Sequence, residues 1–142
     1  FPVGRLDKDT EGLLILTDDG LLAHKLLSPK KLVPKTYYAV IEGKVTNQDV
    51  ELFKQGIQLE EDFTTLPSQL AILESNDISK VYITIYEGKF HQIKRMFEAV
   101  SKKVMYLKRI SMGNLKLDEN LSPGEFRELR EEEIDLLKKS VE

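Results

Sequence analysis

Apolar and polar residues alternate strictly over residues 81–86, with Val81, Ile83 and Ile85 on one side and Tyr82, Thr84 and Tyr86 on the other. A period of two marks a strand with one buried face. Residues 35–41, rich in aromatic and β-branched side chains, read as a second strand, with the chain turning at Glu42-Gly43. Residues 70–73 and 104–110 read as two more, and Asn76-Asp77 suits the turn between residues 73 and 81. The period then changes. Phe90, Ile93, Phe97 and Val100 fall at helical spacing and predict an amphipathic helix with Lys94 and Arg95 beside the stripe. Thr46-Asn-Gln-Asp49 is a capping box with Asp in place of Glu, so a second helix starts there, buries Val50 and Phe53, and stops near Gly56.

The two ends of the chain are less regular. Residues 13–16 form a short apolar run that reads as a buried strand, and Asp18-Asp19-Gly20 reads as the turn that ends it. Leu21, Leu22, Leu26 and Leu27 define one face of a short helix, stopped by Ser28-Pro29. The acidic residues 58–65 are expected to be an exposed connection. Pro123-Gly124 is expected to turn the chain into a short strand over residues 126–129. Residues 131–139 predict a closing helix, acidic at its start and basic at its end as the helix dipole favours. No repeat, low-complexity stretch or internal boundary breaks the series. The fold class is α+β, one domain with a mainly antiparallel mixed sheet and a few helices packed on it.

Composition narrows the class without naming a chemistry. With 142 residues, 41% apolar and 32% charged, the chain is long enough to bury a core. It has no cysteine, which removes disulfides, a thiol nucleophile and the commonest zinc sites. Two histidines, His24 and His91, are too few for a His-rich metal centre. No apolar run approaches the roughly 20 residues of a membrane-spanning helix. The chain opens on Phe1 rather than Met, which reads as a piece of a longer protein. A net charge of −3 weighs against a nucleic-acid partner, but the charge is uneven. Basic residues gather in 30–35, 89–95 and 102–109, and acids in 60–62 and 128–135, so a polarised surface is expected.

Candidate chemistry is densest near the start. Arg5 and Asp7, two apart on an extended segment, share a face. A guanidinium beside a carboxylate keeps it ionised and oriented, as a nucleophilic or general-base Asp requires. An ordinary surface ion pair fits the same spacing. Asp7, Asp9, Glu11, Gly12 and Asp18 imitate a calcium loop, but Leu13 and Ile15 stand where later ligands belong and residues 1–6 supply no incoming helix. The segment also lacks the Gly-rich loop and Lys-Ser/Thr of a triphosphate cradle. Tyr37 and Tyr38 face opposite ways on their strand, and either packing or base stacking would use such a ring. His91, with Lys89, Lys94 and Arg95 around a helix start, reads as a polar or phosphate contact. That cluster is an ordinary solvated face unless it converges on Asp7.

Motif by motif, a resemblance then emerges. The segment from Gly4-Arg-Leu-Asp-Lys-Asp-Thr-Glu-Gly12 to Gly20 resembles the signature of the RsuA-type pseudouridine synthases. The likeness continues through Lys35-Thr-Tyr37, Glu87-Gly-Lys-Phe-His-Gln-Ile-Lys-Arg-Met-Phe97, Lys108-Arg-Ile-Ser-Met-Gly113 and Leu121-Ser-Pro-Gly-Glu-Phe-Arg127, in the family's order over nearly the whole chain. It implies the pseudouridine synthase fold and the isomerisation of a uridine in ribosomal RNA, without metal or cofactor. Asp7 matches the family's catalytic aspartate, and Arg5 would order the site and the flipped nucleotide. Tyr37 would stack on the uracil, and Lys94 would pair with Asp7. His91, Gln92 and Arg95 join them as substrate-binding residues.

The His-Gln-Ile-Lys-Arg-Met-Phe run is closer to the branch acting on 16S rRNA than to the large-subunit branches. The expected partner is therefore 16S rRNA or an early small-subunit particle, met by a cytoplasmic monomer with no membrane contact. A relative modifying 23S rRNA, or a silent RNA-binding and assembly module, stands as the alternative. Two departures follow from the same comparison. The family's usual N-terminal RNA-binding domain and the catalytic domain's leading segment are absent from this sequence. Ser101 also stands where the family often has Gly after the helix, which in a left-handed cap costs about 1 kcal/mol.

Overall fold

The strand expected over residues 35–41 becomes the centre of the fold. The structure, a computed structural model, describes residues 2–4, 6, 8, 10–89, 91–125 and 127–141. Its elements in chain order are β1 (Pro2–Val3), β2 (Glu11–Gly12), β3 (Ile15–Leu16), α1 (Gly20–Leu27), a 3-10 turn at Pro29–Lys31, and β4 (Lys35–Glu42). Next come α2 (Asn47–Gln55), β5 (Gln58–Glu60), β6 (Phe63–Thr64), β7 (Gln69–Glu74) and β8 (Ile78–Ile85). The series ends with α3 (Gln92–Ala99), β9 (Lys103–Met112), β10 (Leu115–Lys116) and α4 (Glu131–Lys139).

β4 pairs antiparallel with β8 on one side, unbroken from Lys35↔Ile85 to Glu42↔Ile78, and with β9 on the other. β7 extends the sheet beyond β8, β10 folds back on the end of β9, and β2 joins β9 in parallel. Alternation sends Tyr37, Ala39, Ile41, Val81, Ile83, Ile85 and Leu107 to the inner face, where α2 and α3 cover them. Phe53 and Phe97 meet there with ring centroids 4.9 Å apart, tilted by 58°, a favourable aromatic pairing. The cap works as its sequence implies. The Thr46 N–H donates to Asp49 Oδ2 at 3.0 Å, and the same buried carboxylate holds Lys102 Nζ at 3.1 Å, tying the start of α2 to the residue that leaves α3. Ser101 takes the left-handed conformation at φ +61°, with its N–H on Glu98 O and the Lys102 N–H on Phe97 O at 2.9 Å. That is the double hydrogen bond of a Schellman cap, with serine in the glycine position.

A second, smaller core gathers Val3, Ile15, Ala23, Leu26, Val33, Met112, Leu115, Leu137 and Val141. It joins α1, α4 and the short strands β1, β3 and β10. Arg127 braces it from outside, donating to Asp118 Oδ2 at 2.8 Å and by its fork to both Glu133 oxygens at 2.7 and 2.8 Å. These bonds and the Arg130 N–H hold the Glu133 carboxyl down at about 2. Among the described residues no helix is long and apolar enough to cross a membrane.

Several expectations change, most of them in this smaller region. Of residues 13–16 only Ile15 is buried, while Leu14 and Leu16 are 39% and 68% exposed, because β3 pairs only with β1 at the edge of the molecule. Asp19 is not part of a turn. It caps α1, accepting the Leu22 N–H at 3.0 Å, and Ala23 and Leu26 replace Leu21 and Leu27 on the buried stripe. Residues 58–65 form the hairpin β5–β6, closed by the Ile57 N–H on Thr65 Oγ1 at 2.9 Å. Residues 127–129 form no strand, since Arg127 is captured by the carboxylates of Asp118 and Glu133; Phe126 lies outside the described residues.

Candidate active site

Lys35 and Tyr37 are two residues apart on β4, so both point to the inner face. There they reach a cleft of about 540 Å³ at the seam between the two cores, within the size range of small-molecule sites. Gly4, Leu6, Lys8 and Thr10 form one wall, Lys35, Tyr37 and Arg109 line it from the sheet, and Gly88, Lys89, His91 and Gln92 close the third side. A shallower hollow of about 430 Å³, lined by Lys44, Asn76, Asp77 and Ile78 at the β7–β8 turn, contains none of the motif residues.

The signature segment reaches this cleft through β9. Glu11 and Gly12 pair with Lys108 and Arg109, and the Leu13 N–H donates to Arg109 O at 2.9 Å. The Arg109 side chain returns the contact, with Nε donating to Leu13 O at 2.8 Å. Gly12 sits at φ +111°, and a Cβ there would collide with the Arg109 carbonyl oxygen, so only glycine permits the approach. Tyr106 adds a clasp on the opposite face, its hydroxyl donating to Glu11 Oε2 at 2.8 Å. Partial burial and then this bond push the Tyr106 phenol up to about 12.

The two tyrosines separate as alternation requires. Tyr37 is buried toward the cleft, while Tyr38 turns to the opposite face and meets Tyr82 and Tyr106 edge-on at 6.0 and 6.1 Å. A β-bulge between Thr36 and Tyr37 makes Ile110 the extra residue of β9 and leaves Arg109 directly opposite Tyr37. Arg109 is 2% exposed, with Nη1 donating to Tyr37 Oη at 3.4 Å and Cζ 6.0 Å from the ring centre. Its Nη2 and the Thr10 hydroxyl are buried without a hydrogen-bond partner among the described residues. Lys35 is 5% exposed, and burial, then the Arg109 charge, hold its ammonium below the usual lysine range against the pull of Glu87.

The helix motif divides between the cleft and its supports. His91 lines the cleft from the position just before α3, at φ +48° in the left-handed region, where histidine is commoner than most residues. Gln92 also lines it, but its amide is used locally: Nε2 donates to Glu87 Oε1 at 2.9 Å and Oε1 accepts the Lys89 N–H at 3.1 Å. Glu87 in turn accepts the Leu66 N–H at 3.1 Å, so Gln92 fixes the 87–89 loop. Lys94 and Arg95 are half-buried and are not among the lining residues. The Arg95 guanidinium reaches Glu60 Oε1 at 3.0 Å and Leu59 O at 3.4 Å, on the β5–β6 hairpin. Asp7 and Arg5 lie outside the described residues, and Leu6 and Lys8 on either side of position 7 both line the cleft.

Lys35 and Arg109 were not singled out from the sequence, although a signal for each was present. Lys35 is in phase with Tyr37, Ala39 and Ile41, and Arg109 with Leu107. A cation on the apolar phase of a central strand is expensive to bury unless it has a task. Among the described residues no group of three or more His, Cys, Asp or Glu side chains is placed to hold a metal ion. What the arrangement offers is an aromatic ring, two buried cations and a polar loop around a space fit for one nucleoside-sized ligand.

Residues 1–99 match the family model of the RNA pseudouridylate synthases. The uncharacterized RNA pseudouridine synthase YtzG of Bacillus subtilis is 52% identical over 139 residues, covering 96% of this chain and 58% of the relative. The ribosomal small subunit pseudouridine synthase A of Vibrio vulnificus is 45% identical over 133 residues, covering 93% of this chain and 57% of its own length. A crystal structure of a pseudouridylate synthase superposes with a TM-score of 0.91 at 42% identity, over 96% of this chain and 58% of that one. This chain thus spans a little over half the length of the relatives it matches. With four of the five motif segments contributing residues to one cleft and these likenesses across the chain, it belongs to the RNA pseudouridylate synthase family, in its RsuA-type branch.

Proposed function

We propose that the chain is the catalytic domain of an rRNA pseudouridine synthase, acting on a uridine of 16S rRNA, with Asp7 as the catalytic residue. The observation that carries the reading is convergence. The residues flanking position 7, the ring of Tyr37 and the His91-Gln92 pair, far apart in sequence, line one cleft. Its size suits an extruded nucleoside, which an enzyme working on a base must take out of the stack. In the reaction the C1′–N1 bond breaks, the uracil turns, C5 bonds to C1′, the C5 proton is released and N1 takes up a proton. The Asp7 carboxylate acts on the uridine, with Lys94 paired to it and Arg5 ordering the flipped nucleotide. Tyr37 stacks on the uracil and His91 contacts the RNA. Gln92 holds the 87–89 loop rather than the base, and Arg95 braces the edge of the site through Glu60.

The choice of 16S rRNA rests on likeness to relatives named for the small ribosomal subunit. The intact protein, on this reading, is a cytoplasmic monomer that carries a separate N-terminal RNA-binding domain. The test is tritium release from C5-labelled uridine in 16S rRNA, small-subunit particles and 23S rRNA, comparing the intact protein with Asp7→Ala. Release from the 16S samples alone, lost in the variant, is expected. Release from 23S rRNA alone would overturn the target. Activity of Asp7→Ala within about tenfold of the unsubstituted protein would overturn the role of Asp7, since loss of a reacting group costs far more than that. Silence on every RNA with binding retained would leave a binding module.

A further inference from the structure

Arg109 and Lys35 are two buried cations whose charge is not matched by a salt bridge among the described residues, although Arg109 also clasps Leu13 and Tyr37. Arg109 spends Nε on Leu13 O and Nη1 on Tyr37 Oη, Nη2 is buried and unpartnered among the described residues, and the residue lines the cleft. Lys35 lines the same wall at 5% exposure. The buried carboxylate nearest in electrostatic effect, Glu87, has its oxygens engaged by Gln92 and the Leu66 N–H. Two cations in a poorly solvated cleft cost stability and make it a strong site for negative charge. The ring of Tyr37 stands beside both, so that charge falls on whatever lies against the ring.

We infer that Lys35 and Arg109 form a cationic subsite that receives the negative charge developing on the uracil as its glycosidic bond breaks. The inference rests on the isomerase reading above. When C1′–N1 breaks, the electron pair leaves with the base and spreads over N1 and the two ring oxygens. The Arg109 guanidinium and the Lys35 ammonium, both on residues lining the cleft, stabilise that anion by their charge. The pair is returned when C5 bonds to C1′; the C5 proton then departs and N1 takes one up, so the isomerisation is neutral overall and no oxidant, reductant or co-reactant is needed.

The test exploits the leaving group. Fluorine at C5 acidifies the ring, so 5-fluorouracil departs with less help. Lys35→Met in the intact protein is assayed under single-turnover conditions on the responsive rRNA, transcribed with uridine or with 5-fluorouridine. Conversion is followed by liquid chromatography with mass spectrometry of the digested nucleosides, which separates each C-glycoside from its isobaric parent; the 5-fluorouridine product keeps its fluorine, since C5 there has no proton to lose. The variant is expected to slow the uridine reaction by about 100-fold, as for loss of one preorganised donor, and the 5-fluorouridine reaction by at most about a tenth of that factor. RNA affinity should hold, and Arg109→Lys, which keeps the charge, should fall between. Equal slowing on both bases, or a loss confined to RNA binding, would overturn the subsite. An unsubstituted protein that converts neither RNA overturns the isomerase reading itself, and the subsite with it.

Discussion

The two cores of this molecule are built on different terms. The larger one, between the inner face of β4, β8 and β9 and the helices α2 and α3, is made of long elements with clean periodicity. Each element would point its apolar side the right way before meeting its neighbours. The smaller core relies on two-residue strands and on α1 and α4, which share few direct partners with the sheet. Its elements take shape only where something distant receives them: β2 on β9, β1 on β3, Arg127 between Asp118 and Glu133. The cleft lies where the self-sufficient half meets the dependent half. Chemistry placed at such a seam can combine a rigid wall with a segment whose backbone follows its partners.

That contrast can be broken from either side. The largest effect on stability is expected from Phe53→Ala, which empties the centre of the larger core beside Phe97. A loss of about 4 kcal/mol in urea unfolding is expected, and a loss below about 1 kcal/mol would mean that this core is not the foundation. Gly12→Ala strikes the seam instead. Its Cβ would collide with Arg109 O, so the β2–β9 pairing must shift. We expect about 2 kcal/mol lost and, on the isomerase reading proposed above, pseudouridine formation by the intact protein reduced far beyond what the stability change explains. Retained activity would show that the signature segment does not need this pairing.

Smaller changes sharpen the picture within each half. Ser101→Gly relieves the left-handed cap of α3 and should add about 1 kcal/mol, read as a higher urea midpoint with unchanged activity. At the seam, Glu11→Gln should bring the Tyr106 phenol from about 12 back toward the usual tyrosine value of about 10, followed by its ultraviolet absorbance. The sign follows from the raised folded value. Stability from the neutral phenol is complete below about pH 10 and is lost as the pH rises toward 12, so the clasp of β2 on β9 should loosen over that window. An unmoved titration would mean that Glu11 does not hold the ring.

How far the sequence could be read follows the same division. The strand at residues 81–86, the helix capped by Thr46 and Asp49, and the closing helix over residues 131–139 are where the pattern put them, because each depends on its own spacing and caps. The apolar run at 13–16 misled, because a strand's burial depends on who pairs with it, and β3 found only β1. Asp18-Asp19-Gly20 carries turn residues that serve equally as a helix cap, and only the Leu22 N–H decides between the two. For the site, Tyr37, His91 and Gln92 were legible as motif residues with a role, whereas Lys35 and Arg109 stand in motif segments with no role the sequence assigns. A one-dimensional pattern records that a charge sits in the apolar phase but not what it faces.

By itself, then, the sequence determined what neighbours along the chain can settle: the alternation of the central strands, the helix stripe through Ile93 and Phe97, the α+β class, and the motif order that marks the family. The tertiary structure decided what requires distant groups to meet. It turned Tyr37 rather than Tyr38 to the cleft, used a bulge to set Arg109 opposite that ring, and drew the signature segment onto β9 through Gly12. The physical reason is range. Periodicity and capping are set within a few residues, while burial of a charge and close backbone approach are set by whatever lies across the core.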